Sequence, residues 1–496
     1  MMEVTALLLE QAARLERDGL SPQAELVYRQ ILADDPGHAG AAHAFGRLLH
    51  RMGRMDEGLA WLRQAVDLDP DAFDAWHDLG AALGAQEHLA EAVQCFRRAL
   101  ALRHDIASGW HNLGSALNKL ERYDDAAAAH RQAIALQPDL AEAHSDLGVA
   151  LYKGGRAVES IAACRGAVTL APAVPEFHVN LALALLMAGH YEEGFREFEW
   201  RRRTAALRVP MAGVEWRGEP LDGRTVLLHA EQGLGDILQF VRYAPLVVAR
   251  GGRVVLWVDR PLVRLLGTVP GVAEVAPIDV PPPPFAFYLP LPSLPRVLGT
   301  ALGTIPADIP YVQADSVAVE TWRRRLADRP GLKVGLVWAG APRPHDPVSH
   351  RIDHRRSLRL DQFAGLAAIA GIALVSLQKG DPAAQTKTAP PSLRLADWTD
   401  EITDFADTAA LVANLDLVIS ADTSVVHLAG AMGKPVWILS RFDGCWRWLS
   451  GRDDSPWYPT ARLFRQPAPG DWETVLRRVG EELRVLAMRA TRRQAP

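Results

Sequence analysis

The first 204 residues repeat with a period of 34 residues. The units begin at Thr5, Ala39, Phe73, Ala107, Ala141 and Pro175. The clearest two contain Trp76-His77-Asp78-Leu79-Gly80 and Trp110-His111-Asn112-Leu113-Gly114. A bulky residue at position 4 and Leu-Gly at positions 7 and 8 give one helix a packing face, and Ala at positions 20 and 27 lets a second helix approach closely. Because one such hairpin cannot bury its own apolar face, the period predicts six stacked hairpins that form a solenoid with a concave surface.

The ends of the units support this interpretation. Four of them close on a proline, where the second helix must stop: Pro36, Pro70, Pro138 and Pro172. His104 stands at the matching place of a fifth unit. Length and pattern together resemble the tetratricopeptide repeat. Cys164 occupies the large-residue position 24 of its unit, so we expect it to pack in the core and not to act as a reactive thiol.

Position 6 of four successive first helices is polar. Its residues are Asp78, Asn112, Asp146 and Asn180. A residue that recurs once per unit forms a ladder along a solenoid, and a carboxamide can bind both the N–H and the C=O of an extended peptide. These four residues are therefore candidates for binding a polypeptide acceptor, and solvated polar positions are the alternative.

From Thr225 onward, short β-branched runs alternate with helical stretches, which is typical of parallel sheets. The first series is 225–230, 253–259, 272–277 and 285–289, and the second is 333–340, 372–378, 415–420 and 436–439. We expect a solenoid at 1–204, a linker at 205–221, one Rossmann-like half at 222–320 on the acceptor side, and a second half at 333–496 on the donor side. The stretch 321–332 is a linker or hinge helix in this plan, and 472–489 is a closing amphipathic helix.

The most informative polar segment of the second half is Asp422-Thr423-Ser424-Val425-Val426-His427, which lies where a buried strand gives way to a helix. Open α/β folds bind ligands at the carboxyl edge of the sheet, and the first turn of a helix presents free N–H groups to an anion. His427 follows Thr423 by one helical turn. The segment predicts a diphosphate site, with ordinary helix capping as the alternative.

A related segment in the first half is Gly233-Leu234-Gly235-Asp236, after the strand at 225–230. Glycines at a strand-to-helix turn let the backbone approach a ligand closely. Leu238 stands where a dinucleotide fingerprint requires glycine, which disfavours a hydride-transfer enzyme. Asp236 either projects into the ligand crevice or caps its helix.

Composition excludes several classes. With 49% hydrophobic and 23% charged residues the chain is ordinary for a globular protein, and its net charge of −5 argues against a general nucleic-acid binder. Residues 1–204 hold 20 Lys and Arg against 29 Asp and Glu, a net −9, and the remainder holds 34 against 30, a net +4. A mildly basic second part suits an anionic ligand, although solvated faces explain the imbalance as well.

Three dispersed cysteines, the lack of a recognisable signal peptide and the lack of a long apolar run indicate a cytoplasmic protein without a membrane span. The stretch His345 to Arg356 is rich in His and Arg. Its His345, His350 and His354 raise the question of a metal site, but without Cys or paired carboxylates a solvated basic loop is the preferred interpretation. We expect no metal.

Five segments together resemble the ADP-heptose:lipopolysaccharide heptosyltransferase superfamily of GT-B glycosyltransferases. They are Gly233-Leu234-Gly235-Asp236, Trp338-Ala339-Gly340, Arg356-Ser357-Leu358, Ser376-Leu377-Gln378-Lys379-Gly380 and Asp422-Thr423-Ser424-Val425-Val426-His427. The resemblance covers 225–478. The fusion with repeats is similar to bacterial protein glycosyltransferases that modify flagellin, and in layout to the O-linked N-acetylglucosamine transferases.

The resemblance implies a pair of Rossmann-like domains of GT-B type and a site. Asp236 becomes the candidate general base, Asp422 and Thr423 become the diphosphate-binding motif, and His427 becomes the family's helix histidine. Donor binding then also involves Gly233, Gly235, Trp338, Arg356, Gln378, Lys379 and Ser424. The family usually has Gly-Pro after Asp-Thr, where Ser424-Val425 stand here, and the Ser424 hydroxyl could replace a backbone contact.

The implied reaction is inverting and metal-independent, with a nucleotide sugar as substrate and no cofactor. Helix dipoles with Lys379 or Arg356 would stabilise the departing diphosphate. The leading hypothesis is transfer to a polypeptide, flagellin being one candidate, captured by the repeats. The alternatives are transfer to lipopolysaccharide or another glycan, and an inactive interaction scaffold.

Overall fold

The structure is a computed structural model that describes residues 2–204 and 211–494. It divides into two compact units, Met1–Asn180 and Leu181–Pro496. The division falls inside the sixth predicted hairpin, earlier than the boundary expected at 204. Part of the expected linker, 205–210, lies outside the described residues.

Twelve helices make up the six hairpins in the described part of the repeat region. They are α1 (Met2–Arg17), α2 (Ser21–Asp34), α3 (Ala39–Arg51), α4 (Met55–Leu68), α5 (Phe73–Ala85), α6 (Leu89–Leu102), α7 (Ala107–Lys119), α8 (Tyr123–Leu136), α9 (Ala141–Lys153), α10 (Ala157–Leu170), α11 (Pro175–Met187) and α12 (Tyr191–Phe198). Five first helices begin at the residue that the period predicts, and the first begins at Met2 instead of Thr5. The predicted helical solenoid is confirmed.

The glycine at position 8 faces the residue at position 24 of the same unit. A Cβ on Gly148 would lie 2.2 Å from Cys164 Sγ, and a Cβ on Gly114 would lie 2.6 Å from the ring of His130. Glycine therefore allows the two helices of a hairpin to approach. Cys164 is buried, and burial raises the pKa of its thiol to about 11, which agrees with the predicted core packing.

Helix α12 belongs to the second compact unit and packs against later parts of the chain. Tyr191 stacks on Trp457 with ring centroids 5.8 Å apart, and Phe195 meets Trp446 edge-on at 5.7 Å. These large buried rings explain why the compact unit begins before the predicted boundary.

The second unit also contains ten strands and ten further helices within its described residues. The strands are β1 (Val214–Glu215), β2 (Thr225–His229), β3 (Arg253–Val258), β4 (Val272–Pro277), β5 (Phe287–Pro290), β6 (Leu332–Val337), β7 (Ile372–Ser376), β8 (Leu417–Ala421), β9 (Val436–Ser440) and β10 (Ala461–Arg465). The helices are α13 (Leu234–Phe240), α14 (Ala244–Val248), α15 (Val263–Leu266), α16 (Leu294–Val297), α17 (Ser316–Arg325), α18 (Pro347–Arg356), α19 (Ala364–Ala367), α20 (Phe405–Ala413), α21 (Ser424–Ala431) and α22 (Trp472–Gln494).

The strands form two five-stranded sheets, in the orders β1-β5-β2-β3-β4 and β10-β9-β8-β6-β7, and all their pairings are parallel. In the first sheet the chain runs outward from β2 through β3 and β4, then returns to the other side of β2 with β5. In the second it runs from β6 to β7 and returns to the other side of β6 with β8. Each sheet therefore has a topological switch point, between β2 and β5 and between β6 and β8.

The strands that are buried on both faces were the easiest to predict from the sequence. Every residue of β8 and β9 is buried, and a strand covered on both faces reads as a continuous apolar run. The closing helix is confirmed as α22, whose Val475, Val479 and Leu483 recur every four residues and pack in the core of the second sheet.

Candidate functional site

The two polar segments that follow buried strands both lie at a switch point. Gly233 to Asp236 follow β2 and open α13, and Asp422 and Thr423 follow β8 and open α21. A crevice forms at such points because the chain leaves the two neighbouring strands in opposite directions. The structure therefore puts each segment at the edge where open α/β sheets bind ligands.

The two segments also contact each other. A Cβ on Gly235 would lie 2.8 Å from His427 Cδ2 and 3.6 Å from Ser424 Cα, so only a residue without a side chain fits there. From the sequence we expected Gly235 to let the backbone approach a ligand. In the structure, Gly235 instead allows the close contact of α13 with α21. A Cβ on Gly233 would meet nothing closer than 3.6 Å.

Asp236 is held at both carboxylate oxygens. Oδ2 accepts a hydrogen bond of 3.0 Å from the Gly233 backbone N–H, which is the capping alternative that the sequence left open. Oδ1 accepts from the guanidinium of Arg447. The carboxylate is therefore an ion-paired helix cap in the described state.

Arg447 is the site residue that sequence reasoning missed. Its side chain is 13% exposed, and it also donates to Gln239 Oε1 at 2.5 Å and to Cys445 Sγ at 3.1 Å. Burial alone would lower the pKa of Arg447, but the carboxylate of Asp236 and the Cys445 sulfur raise it above its ordinary value. The guanidinium is a permanent positive charge between the two segments.

His427 points into the protein interior. Its Nδ1 lies 2.9 Å from the Tyr458 hydroxyl, and its ring stacks on Trp448 with centroids 5.5 Å apart. Burial lowers the pKa of His427 well below its ordinary range, and the nearby cations Arg447 and Arg242 lower it further. The imidazole is therefore neutral at physiological pH.

Arg356 joins two of the predicted motifs. Its Nη1 donates to the Asp422 backbone carbonyl at 3.0 Å, and its Nε and Nη2 both donate to Asp353 Oδ1. The Gly340 backbone N–H donates to the Ser357 hydroxyl at 3.1 Å. The positive charge of Arg356 thus lies beside the turn that contains Thr423, whose hydroxyl is 3.2 Å from that of Ser420 and does not cap α21.

Three other predicted donor residues have structural partners. Trp338 is fully buried in the core of the second sheet, so its ring does not face a ligand in this state. Gln378 is buried too, and its carboxamide bonds to the backbone of Trp338, Ala339 and Lys379. The Lys379 ammonium donates to the carbonyls of Thr399 at 2.6 Å and Ile402 at 2.9 Å. The contacts of Gln378 and Lys379 explain these two residue types without a ligand, because each side chain satisfies buried backbone groups.

The predicted ladder of the repeats is present, and it is bonded from unit to unit. The residue at position 6 pairs with the residue at position 5 of the preceding unit, in the pairs His43–Asp78, His77–Asn112, His111–Asp146 and Ser145–Asn180. The four position-6 residues are partly buried. Asn112 and Asn180 each use a side-chain amide N–H for this contact.

The repeats also bring together ligand atoms that the sequence did not reveal. Within residues 2–204 and 211–494, one group of three His and Asp side chains has its potential metal-binding atoms within 4.8 Å of one another, and it consists of His111, His130 and Asp146. The histidines of the basic segment, by contrast, are split between the stretch before α18, with His345, and α18 itself, with His350 and His354.

Comparison with known proteins identifies the class of the first unit. Models of the tetratricopeptide repeat match residues 19–83, 77–141 and 111–175. Residues 19–175 thus consist of tetratricopeptide repeats, and the chain continues into two parallel sheets. Its sequence is similar to Protein FlbA of Caulobacter vibrioides (strain ATCC 19089 / CIP 103742 / CB 15), with 30% identity over an alignment of 329 residues that covers 60% of this chain and 53% of FlbA. The chain spans about half the length of this curated relative.

Several solved structures match part of this chain. MamA from Desulfovibrio magneticus RS-1 is 22% identical, with 34% of this chain and 97% of MamA covered and a TM-score of 0.32. YrrB, described as a TPR protein with an unusual peptide-binding site, is 20% identical, with 36% and 91% covered and a TM-score of 0.33. PilW, a type IV pilus biogenesis factor, is 17% identical, with 40% and 93% covered and a TM-score of 0.37.

Every helix within the described residues is too short or too polar to cross a lipid bilayer.

Proposed function

We propose that this protein is an inverting, metal-independent glycosyltransferase of GT-B type, which moves a sugar from a nucleotide-sugar donor to a polypeptide bound by the repeats. The observation that carries the proposal is the meeting of two switch-point segments, one with the carboxylate of Asp236 and one with the N-terminus of α21. Two parallel sheets whose ligand-binding edges share one group of contacting residues suit a donor and an acceptor that must react with each other.

Positive charge at the second segment supports a diphosphate as the leaving group. Arg356 lies at the Asp422 carbonyl, Arg447 lies at Asp236, and the first turn of α21 adds free N–H groups and the positive end of a helix dipole. These fixed charges can stabilise a departing diphosphate without a metal ion. Lys379 contributes less in this proposal, because its ammonium already binds two backbone carbonyls.

In the proposed reaction the acceptor hydroxyl oxygen attacks the anomeric carbon of the donor from the face opposite the diphosphate. The bond from that oxygen to the anomeric carbon forms as the bond to the diphosphate oxygen breaks, and the electron pair leaves with the nucleoside diphosphate. Asp236 takes the proton of the hydroxyl. General base catalysis of this kind contributes about 10²–10⁴-fold.

Asp236 cannot act as a base in the described state, because the guanidinium of Arg447 occupies one carboxylate oxygen and the Gly233 N–H occupies the other. A guanidinium is also well suited to bind phosphate oxygens in pairs. The proposal therefore includes a movement of Arg447 from Asp236 to the donor diphosphate when the donor binds. Donor binding would then free the base only when there is a sugar to transfer.

The test compares Asp236→Asn with the wild-type chain on a panel of nucleotide sugars, with nucleoside diphosphate release as the readout. Asn keeps the acceptor for the Gly233 N–H but cannot take a proton, so we expect turnover to fall by about 10²–10⁴-fold with donor affinity retained. Asp279→Asn is the matched control, because that carboxylate is exposed and pairs with Arg260. An Asp236→Asn variant with the wild-type rate would remove Asp236 from the mechanism.

A deletion separates the protein acceptor from the alternative glycan acceptor. It should remove residues 1–180 and keep α12, because Tyr191 and Phe195 pack against Trp457 and Trp446. Loss of transfer to protein supports capture by the repeats, and retained transfer to lipopolysaccharide supports the alternative. A scaffold without activity predicts no turnover with any donor, even for the full chain.

A further inference from the structure

We propose that the fourth and fifth repeats hold a divalent transition metal ion, best suited to Zn²⁺, between His111 on α7, His130 on α8 and Asp146 on α9. The site would link three helices of two successive repeats. It is separate from the proposed transfer centre at Asp236 and α21, which needs no metal, although Asp146 also belongs to the ladder that would bind the acceptor.

The ligand atoms are already near the geometry that a metal requires. His111 Nε2 lies 3.0 Å from Asp146 Oδ2, and the nitrogen of His130 that completes the group lies within 4.8 Å of both. Ligands placed tetrahedrally about 2.0–2.1 Å from Zn²⁺ are about 3.4 Å apart. Small side-chain rotations would therefore bring the three atoms onto one ion.

The surroundings of His130 indicate a bound ligand. Its side chain is fully buried, and neither of its ring nitrogens has a hydrogen-bond partner within the structure. A buried polar atom without a partner destabilises the fold, so a bound ion that satisfies it would be favoured. Burial lowers the pKa of His130 to about 4, which leaves the imidazole neutral and able to coordinate.

The repeat pattern shows that packing alone does not require histidine at this place. Position 24 holds Leu62, Phe96 and Cys164 in three other units, and each of them is buried. The ring of His130 lies against Gly114 as the ring of Phe96 lies against Gly80. An aromatic hydrocarbon would thus fit, and the histidine adds two nitrogens that the core does not satisfy.

The surroundings resemble a metal site beyond its ligands as well. The Ser115 hydroxyl donates to Asp146 Oδ2 at 3.0 Å, and such bonds orient a ligating carboxylate. Two imidazoles and one carboxylate are a ligand set for Zn²⁺ and other divalent transition metals, with water left to complete the coordination. Asp146 is partly exposed, with a side chain 37% accessible, which gives the ion a way in.

The experiment uses the untagged full chain, stripped with a chelator, dialysed and titrated with ZnCl₂ in a calorimeter. Metal content is then measured by mass spectrometry, and Co²⁺ reports the coordination geometry through its visible absorption. We expect one Zn²⁺ per chain and a tetrahedral Co²⁺ spectrum. Changing residues around a metal ligand costs about 10–100-fold in affinity, so losing a ligand should cost more. His130→Phe, His111→Gln and Asp146→Asn should each weaken binding by more than about 100-fold.

Two controls keep the result unambiguous. Asp78→Asn changes the equivalent carboxylate, which pairs with His43 of a preceding unit that has Leu62 at position 24 in place of histidine, so this variant should bind Zn²⁺ as the wild type does. His350→Ala with His354→Ala removes the exposed alternative and should also leave binding intact. If His130→Phe fails to fold, His111→Gln decides, because His111 is only partly buried. The proposal is overturned if the wild-type chain does not bind Zn²⁺, or if His111→Gln and Asp146→Asn bind Zn²⁺ as tightly as the wild-type chain does.

Discussion

Arg447 donates a hydrogen bond to the carboxylate of Asp236, although the two residues are 211 positions apart in the sequence. Asp236 belongs to α13, which follows β2 of one sheet, and Arg447 lies beyond β9 of the other. The pair thus ties the two parallel sheets together at their ligand-binding edges. The stabilisation by this ion pair and the effect of an added anion on it can both be measured.

A double-mutant cycle measures the stabilisation by this pair. Arg447→Ala leaves a largely buried carboxylate without its cation, so we expect the free energy of unfolding to fall by about 3 kcal/mol. The interaction energy between Arg447→Ala and Asp236→Ala should be about 1–3 kcal/mol in urea unfolding followed by tryptophan fluorescence. The exposed pair Arg477–Glu481 is the control and should give about 0.5 kcal/mol or less. Equal values for the two pairs would mean that Arg447 is not a structural tie.

Alanine substitutions at Gly233 and Gly235 distinguish a role in helix packing from a role in ligand binding. Gly235→Ala forces a methyl group against His427, so we expect a loss of about 1–3 kcal/mol in the free energy of unfolding. Gly233→Ala meets only ordinary contacts and should cost less than about 1 kcal/mol. If Gly233 also admits the donor, its variant will lose affinity for nucleoside diphosphates in calorimetry at nearly normal stability. A stable Gly235→Ala would contradict the close contact of α13 with α21.

The helices could be predicted from the sequence because their packing repeats. Trp-x-x-Leu-Gly marks the first helices of the units that begin at Phe73 and Ala107, and the period extends the prediction to the correct helix starts at Ala39, Ala141 and Pro175. The pairing of position 5 with position 6 was also within reach, since it is one period plus one residue. It was missed because position 6 was considered alone and not beside the neighbouring unit.

The strands at the edges and the contacts of the site were out of reach for different reasons. Strand β10 carries Arg462 and Arg465, which interrupt the apolar run that marks a buried parallel strand. The contact of Arg447 with Asp236 depends on how the two sheets pack, and no local pattern encodes it. Gln378 was expected to bind the donor from its motif, while its bonds to Trp338 and Ala339 follow from the pairing of β6 with β7.

Acid should weaken the ladder of the repeats. Burial alone would raise the pKa of Asp78, but the hydrogen bonds from His43 and His77 hold it well below its ordinary value. A lowered folded-state pKa stabilises the fold above the unfolded pKa of about 3.9, and this stabilisation is lost as the pH falls through the folded value.

Asp78→Asn should therefore lower the free energy of unfolding by about 2 kcal/mol at pH 7, and the difference from wild type should shrink as the pH falls below about 4. Urea unfolding followed by circular dichroism at several pH values measures this. Asp71→Asn, with a side chain 83% exposed, should show little effect at any pH. If the difference in the free energy of unfolding between Asp78→Asn and the wild type stays constant from pH 7 to pH 3, the charge of Asp78 does not stabilise the ladder.

Arg356 and Lys379 should differ in what they bind, although the family resemblance gave both to the diphosphate. Arg356→Gln removes a charge beside Thr423 and should weaken nucleoside diphosphate binding by about 10–100-fold, the equivalent of about 1.5–3 kcal/mol for hydrogen bonds to a charged group. Lys379→Met leaves the carbonyls of Thr399 and Ile402 without their donor, so it should cost about 1–3 kcal/mol in the free energy of unfolding with little change in affinity. Calorimetry with nucleoside diphosphates of each common base, paired with urea unfolding of the same samples, measures both quantities. If Lys379→Met instead loses diphosphate affinity at full stability, the ammonium leaves its two carbonyls to bind the donor, and Lys379 joins Arg356 in the site.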